Sequence, residues 1–237
     1  MIMEFLKPHA ADNNPGGEAS HDFARHRMVE EIRAMARETG DYVTTPISEK
    51  VLSVMAKVPR HRFVPEEETY GAYYNRPLPI GHGQTISQPY IVALMTDLLA
   101  LDREDRVLEV GTGSGYQAAI LAEMAGKVYS MEIVEPLAVQ AAKLLNELGY
   151  ANIQVKLGDG NRGWQEHAPF DGIIVAAAAG HVPQPLLDQL KPGGRMVIPV
   201  GDWSYNQELL LITKTPDGVL HQENILPVSF VPLTGGH

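Results

Sequence analysis

Apolar residues recur along this chain in two rhythms, and the change from one to the other falls near residue 105. Before it the spacing is helical. Met28, Ile32 and Met35 share one face of a helix predicted from about Asp22, and SEKVLSVMAKV (48–58) repeats the pattern with Ser48 placed to cap it. PRHRFVP (59–65) ends that segment, and YIVALMTDLLA (90–100) is a third helix. After residue 105, short apolar runs alternate with amphipathic ones. RVLEV (106–110), KVYSMEI (127–133), IQVKLGD (153–159), FDGIIVAAA (170–178) and RMVIPVG (195–201) read as strands. QAAILAEMAG, EPLAVQAAKLLNELG and PQPLLDQLKPGG read as the helices between them, the second stopped by Gly149. Strands that alternate with helices of about ten residues imply βαβ units and a parallel sheet covered on both faces. The tail breaks the rhythm: ELLLITK, a PDG turn and ILPVSFVPL read as an antiparallel hairpin closing the sheet. The expected fold is therefore α/β, a doubly wound, mostly parallel sheet with an antiparallel C-terminal hairpin and a helical N-terminal cap. Residues 1–23, rich in turn formers, are expected to be a flexible extension. Residues 24–237 are expected to be one domain, with 24–100 as the cap and 101–237 as the α/β core.

One stretch fits neither rhythm. GHGQTISQPY (81–90) carries three hydroxyls, two Gln and a His, and no Asp, Glu, Lys or Arg. It suits either a surface loop or a wall that approaches a charged ligand without competing with its charge. Composition narrows the field. The chain has 237 residues, no Cys and a net charge of −10. Thiolate chemistry and disulfides are excluded, and the missing Lys/Arg clusters argue against nucleic acid as a partner. No apolar run reaches the roughly 18 residues of a membrane span. The missing targeting segment favours the cytoplasm, and a monomer is expected.

The strongest chemical signal is VLEVGTGSGY (107–116): strand, Gly-x-Gly-x-Gly, helix. Glycines let a ligand approach the backbone, and the helix start offers free N–H groups. No Lys-Ser/Thr pair follows, which excludes a nucleoside-triphosphate P-loop. The last glycine comes one residue early for a dinucleotide fingerprint. Glu132, about 20 residues on at the next strand end, is placed to bond the ribose hydroxyls of an adenosine-containing ligand. Glu109, inside the first strand, is expected either to bond amides of the loop or to touch ligand. Asp159, in GDGNRGW (158–164), falls at the carboxyl edge of the sheet, where it could accept from an adenine amino group or form an Asx turn.

These residues, with PLPIGHGQTISQPYIVALMTDLL, PRHRFVP, FDGIIVAAAA and the C-terminal FVPL, resemble the protein-L-isoaspartate O-methyltransferases, within the class I S-adenosylmethionine-dependent enzymes. The likeness runs from about residue 24 to the end. It implies the cofactor S-adenosylmethionine, with S-adenosylhomocysteine as product, and isoaspartyl peptides and proteins as substrates. It implies that Thr85, Ile86 and Ser87 lie over the cofactor and the substrate carboxylate, with Ser87 the catalytic residue. Gly111, Gly113, Ser114 and Gly115 would hold the methionine portion, Glu132 the ribose, and Asp159 with Gly160 the adenine, while Thr234 approaches the cofactor. The methyl ester so formed would collapse to a succinimide that opens partly to normal aspartate. Two departures bear on substrate preference: Ala176 stands where relatives favour Thr, and Ser229 where Arg is common.

The implied reaction suits the uncharged stretch. A carboxylate with a pKa of about 4 is already ionised at pH 7 and needs no general base. Hydroxyls can orient it without placing a rival cation beside it, and in-line positioning alone can supply about 7–11 kcal/mol. Two other functions fit less of the sequence: a same-fold methyltransferase acting on a small-molecule carboxylate, and a cofactor-binding module without turnover. The nine His residues are scattered, so no metal is expected, and His82 is expected to face solvent or to bond within its loop. Met28, Met35, Met55 and Met95 read as core fillers. Trp164 and Trp203 are expected to pack, with Trp164 a candidate for an adenine pocket, and Tyr73 and Tyr74 are candidates for a peptide groove.

Overall fold

In a computed structural model, residues 17–40, 46–202 and 205–235 are described. Trp203 and residues 1–16 of the expected extension lie outside them.

The N-terminal part packs three helices, α1 (Glu18–Glu38), α2 (Glu49–Lys57) and α3 (Pro89–Leu98). α1 starts four residues before Asp22, so residues 18–23 of the expected extension are helical. The Gly17 carbonyl accepts from the Ser20 and His21 amides, and the His21 ring stacks on His61 at 3.9 Å. Ser48 caps α2 as expected: its hydroxyl accepts the Val51 amide and bonds Asp97. Between α2 and α3 the chain makes two 3₁₀ turns and then a small hairpin, β1 (Leu78–Gly81) with β2 (Gln84–Ile86). The uncharged stretch is thus a hairpin and not a loop. Gly81, His82 and Gly83 turn it with φ of 87°, 53° and 70°, and His82 is exposed.

The remainder is one seven-stranded sheet in the order β5-β4-β3-β6-β7-β8-β9. Its members are β3 (Arg106–Val110), β4 (Lys127–Glu132), β5 (Ile153–Leu157), β6 (Phe170–Val175), β7 (Leu190–Asp202), β8 (Tyr205–Lys214) and β9 (Leu220–Val228). β5 to β7 run parallel to their neighbours, and β7–β8 and β8–β9 are antiparallel. The connecting helices are α4 (Tyr116–Met124), α5 (Glu135–Glu147) and α6 (Gln184–Gln189). The period-two alternation of the strands separates two cores. Val107, Val128, Ile174 and Val197 face the N-terminal helices, α4 and α5. Leu108, Val110, Met131, Ile173 and Val175 face Trp164, Leu186 and Leu190. Met28, Met55 and Met95 are fully or almost fully buried, in keeping with their expected filler role.

The sheet order reverses at β3: the chain moves outward through β4 and β5, then returns to place β6 on the other side of β3. In open α/β sheets the crevice beyond the carboxyl ends of the strands at such a point is the ligand site.

Candidate functional site

At the carboxyl end of β3 the backbone turns on Gly111, Gly113 and Gly115, with φ of 93°, 52° and 90°. Side chains rarely tolerate these angles. The turn is tied to β4, whose Met131 carbonyl accepts from the Gly111 and Thr112 amides at 2.8 and 3.1 Å. Glu132 completes the attachment. Its Oε2 accepts the Gly113 amide at 2.8 Å, and its Oε1 accepts the Ile133 and Val134 amides, each at 2.9 Å. The loop-bonding task expected of Glu109 therefore belongs to Glu132. A carboxylate has about four acceptor positions; three are occupied here, and the one left is on Oε2.

Glu109 has a different environment. Parallel pairing sets it opposite Ser130, whose hydroxyl donates to one of its oxygens and also pairs with the Thr112 hydroxyl at 2.5 Å. The other oxygen has no hydrogen-bond partner among the described residues. Burial pushes this carboxyl up to about 8; the Ser130 bond opposes the shift and the Glu132 charge adds to it.

Above the turn lies an open cleft. Gln84 and Thr85 of β2 form one wall, Gly111, Gly113 and Glu132 the floor, Gly158 and Gly160 one end, and Pro232, Leu233 and Thr234 the opposite wall. Gly160 has no room for a side chain: a Cβ there would come within 2.2 Å of Val110 Cγ1. The tail reaches the cleft because the Ala178 amide donates to the Val231 carbonyl and the Leu233 amide to the Ala178 carbonyl, at 2.8 and 2.7 Å. Through Thr85, Gly111 and Gly113 the cleft continues into a small chamber bounded by Ile86, Ser87, Ser114, Gln117 and Ala176. Ser87 also borders an outer groove formed by Pro77, Ile91, Val228, Ser229 and Phe230. The Ser87 hydroxyl makes no hydrogen bond with the described residues.

The structure thus brings Thr85, Ile86, Ser87, Gly111, Gly113, Ser114, Glu132, Gly160 and Thr234 onto one connected surface. Two expected site residues stand behind it. Gly115 caps the start of α4 and packs on Leu145, whose Cδ1 a Cβ would meet at a tight 3.2 Å. Asp159 makes the Asx turn, its Oδ1 accepting the Asn161 amide at 3.0 Å, although Gly158 and Gly160 on either side of it line the cleft. Trp164 is not on the cleft. It packs edge-on against Tyr129 and His167, with the Lys156 ammonium 4.8 Å over its ring. Tyr73 is buried, its hydroxyl bonded to His61 Nδ1 at 2.8 Å, which leaves it unsuited to a groove. Ala176 and Ser229, the two departures, stand at the chamber and at the groove on either side of Ser87.

No role was assigned from the sequence to Arg60, in the segment that ends α2 and shares in the family likeness. It is fully buried, and burial lowers its guanidinium to about 10. Its Nη2 donates to the Ser87 carbonyl and its Nε to the Ala72 carbonyl, each at 2.8 Å. Its place in PRHRFVP, a segment shared with the family, was its only signal.

The site fits an adenosine-containing ligand. A buried carboxylate keeps one acceptor free, a glycine floor admits close approach, and the Gly160 corner excludes any side chain. Comparison with known proteins agrees. Residues 35–237 match the family model described as protein-L-isoaspartate(D-aspartate) O-methyltransferase. A protein-L-isoaspartate O-methyltransferase 2 of Syntrophobacter fumaroxidans is 62% identical over 90% of this chain and 87% of its own length. A namesake from a Polaromonas species is 60% identical over 88% and 99%. Among solved structures, a protein-L-isoaspartate O-methyltransferase aligns with a TM-score of 0.76 at 28% identity, covering 87% of this chain and 66% of that one. A beta-aspartate methyltransferase structure from Plasmodium falciparum, in complex with S-adenosyl-L-homocysteine, aligns with a TM-score of 0.72 at 25% identity over 89% and 98%.

Proposed function

We infer the residue roles from one premise: this chain belongs to the protein-L-isoaspartate(D-aspartate) O-methyltransferase family. Its activity is methylation of the free carboxylate of L-isoaspartyl residues from S-adenosylmethionine, the entry to their repair. S-Adenosylmethionine supplies a methyl group on a sulfonium, so that an oxygen–carbon bond forms as the carbon–sulfur bond breaks and S-adenosylhomocysteine is left.

The chain's own groups do the rest. Gly111, Gly113 and Ser114 hold the amino-acid part of the cofactor against the glycine turn. The free acceptor position of Glu132 takes a ribose hydroxyl, and Gly160 borders the base. Thr85 and Thr234 close the cleft from opposite sides. Ser87, at the junction of chamber and groove, donates its hydroxyl to the acceptor carboxylate and turns one oxygen toward the chamber. It orients and does not attack. No proton has to move, since the acceptor is already ionised. The wall of Thr85 and Ser87 excludes water and adds no charge, so the attraction between acceptor and sulfonium is unscreened.

The observation that carries these roles is the place of Ser87 between the glycine chamber and an open groove, its hydroxyl without a hydrogen bond to the described residues. The test pairs isoaspartyl and aspartyl peptides of one sequence with labelled methyl donor. Label on the isoaspartyl peptide alone, reduced by Ser87→Ala at unchanged cofactor affinity, is the expected result; equal labelling of both peptides overturns it. We read residues 24–237 as one unit in which 24–100 cap the core of 101–237, supported by bonds between the two such as that of Lys57 Nζ to Glu123 and of Arg195 Nη1 to the Leu98 carbonyl. The reading extends to a cytoplasmic monomer that does not bind nucleic acid. The net charge of −10 supports the last point, and the donor's being an intracellular metabolite supports the first. No helix among the described residues is long and apolar enough to cross a membrane.

A further inference from the structure

The geometry points to Arg60 as a positioning residue for methyl transfer: it sets the Ser87 peptide and so aims the Ser87 hydroxyl. This rests on the role given to Ser87 above.

A fully buried guanidinium is costly unless its donors are used. Arg60 appears in none of the ion pairs among the described residues. Its partners are neutral: the Ala72 carbonyl, the Ser87 carbonyl and the face of the Tyr116 ring, 4.8 Å from its central carbon. Its Nη1 has no hydrogen-bond partner among the described residues. A side chain needed only to fill space would be apolar. This one joins three segments, two of which line the chamber, at Ser87 and at Tyr116. Ala72 belongs to the stretch before the β1–β2 hairpin, Ser87 follows that hairpin, and Tyr116 opens α4 directly after the glycine turn.

The neighbours of Ser87 are held by other means. Gln88 Nε2 donates to the Asn75 carbonyl, and Asn75 Oδ1 accepts the Tyr90 amide, both at 3.0 Å. At Ser87 itself the carbonyl is tied by Arg60, and that tie is charge-assisted, the stronger kind. Rotation of the Ser87 peptide would swing the hydroxyl out of the junction between chamber and groove while leaving the glycine turn in place. The effect of losing Arg60 should therefore fall on turnover and not on cofactor affinity.

Arg60→Lys keeps the charge but loses the planar fork that reaches two carbonyls at once. It is measured in the parent protein and in a Ser87→Ala background, with turnover on an isoaspartyl peptide, S-adenosylhomocysteine affinity by calorimetry and an unfolding curve for each. Arg60→Lys is expected to cut turnover about tenfold in the parent and less than about twofold once Ser87 is gone, the non-additivity of residues acting through one another. Cofactor affinity is expected to stay within about threefold throughout. An equal loss in both backgrounds overturns the role of Arg60 while leaving that of Ser87 intact. Full turnover of Ser87→Ala alone overturns the underlying reading and this inference with it. A lysine variant that fails to fold assigns the guanidinium to the fold and likewise overturns it.

Discussion

Replacing Glu132 by Gln removes one charge and almost no volume, and the structure says what that should cost. The carboxylate accepts three backbone amides, two on Oε1 and one on Oε2, and is only 6% exposed. The amide side chain can place its single oxygen at the Oε1 position and keep the Ile133 and Val134 bonds. Those bonds then fall from charge-assisted to neutral strength, a loss of about 1 kcal/mol each. Its NH₂ group is left facing the Gly113 N–H, donor against donor, and a buried unsatisfied donor costs about 1–3 kcal/mol. The sum is about 3–5 kcal/mol of stability. Denaturant unfolding measures it, with an unchanged slope to show that the two end states are the same. Calorimetry with S-adenosylhomocysteine gives a separate number. The free Oε2 position assigned to the ribose is lost as well, so affinity should fall by about 1.5–3 kcal/mol beyond the effect on folding. A variant within about 1 kcal/mol of the parent in stability would refute the loop-fastening role. One that is destabilised but binds the nucleoside as tightly as the parent would refute only the ribose contact.

Gly160→Ala should destabilise by about 1–3 kcal/mol, because the new methyl meets Val110 Cγ1 at 2.2 Å. Val110→Ala in the same chain should recover part of the loss, and a double mutant whose cost is the sum of the two singles would rule out the clash. Burial pushes the folded Glu109 carboxyl up to about 8, well above the ordinary glutamate range. Between that range and this value the folded state holds more protons than the unfolded one, so this group makes stability fall as pH rises, by up to about 1.4 kcal/mol per unit. Glu109→Gln should remove that slope between pH 5 and 8, and parallel profiles for variant and parent would count against the buried neutral acid. Ser48→Ala should cost about 1 kcal/mol through the lost cap of α2, read as a shift in melting temperature, with activity at low temperature unaffected.

The alternation of apolar runs made the sheet and its C-terminal hairpin legible, since strand and helix periods differ and Gly149 and the PDG turn mark stops. The cofactor floor was legible for the same local reason: three glycines between a strand and a helix have few other uses. What the sequence concealed depends on direction and register. Glu109 and Glu132 look alike as strand acids, and pairing sends the first against Ser130 and the second back onto the Gly113 amide. Asp159 sits within the right three residues, yet its side chain serves the local turn. Arg60 was hidden because a cation in a short polar-looking segment reads as solvated, and only tertiary packing reveals that water is absent. The uncharged stretch drew notice for its chemistry, but its strands of three and four residues are too short for a period of two to register.

The binding cleft is assembled from segments as far apart as Gln84 and Thr234, and its last wall is the stretch that follows β9. A ribosome must therefore deliver some 150 further residues after the first contact before any nucleoside can be enclosed. Ligand binding is thus a report on the finished molecule, and truncation or fraying behind residue 230 should abolish it while most of the sheet still stands.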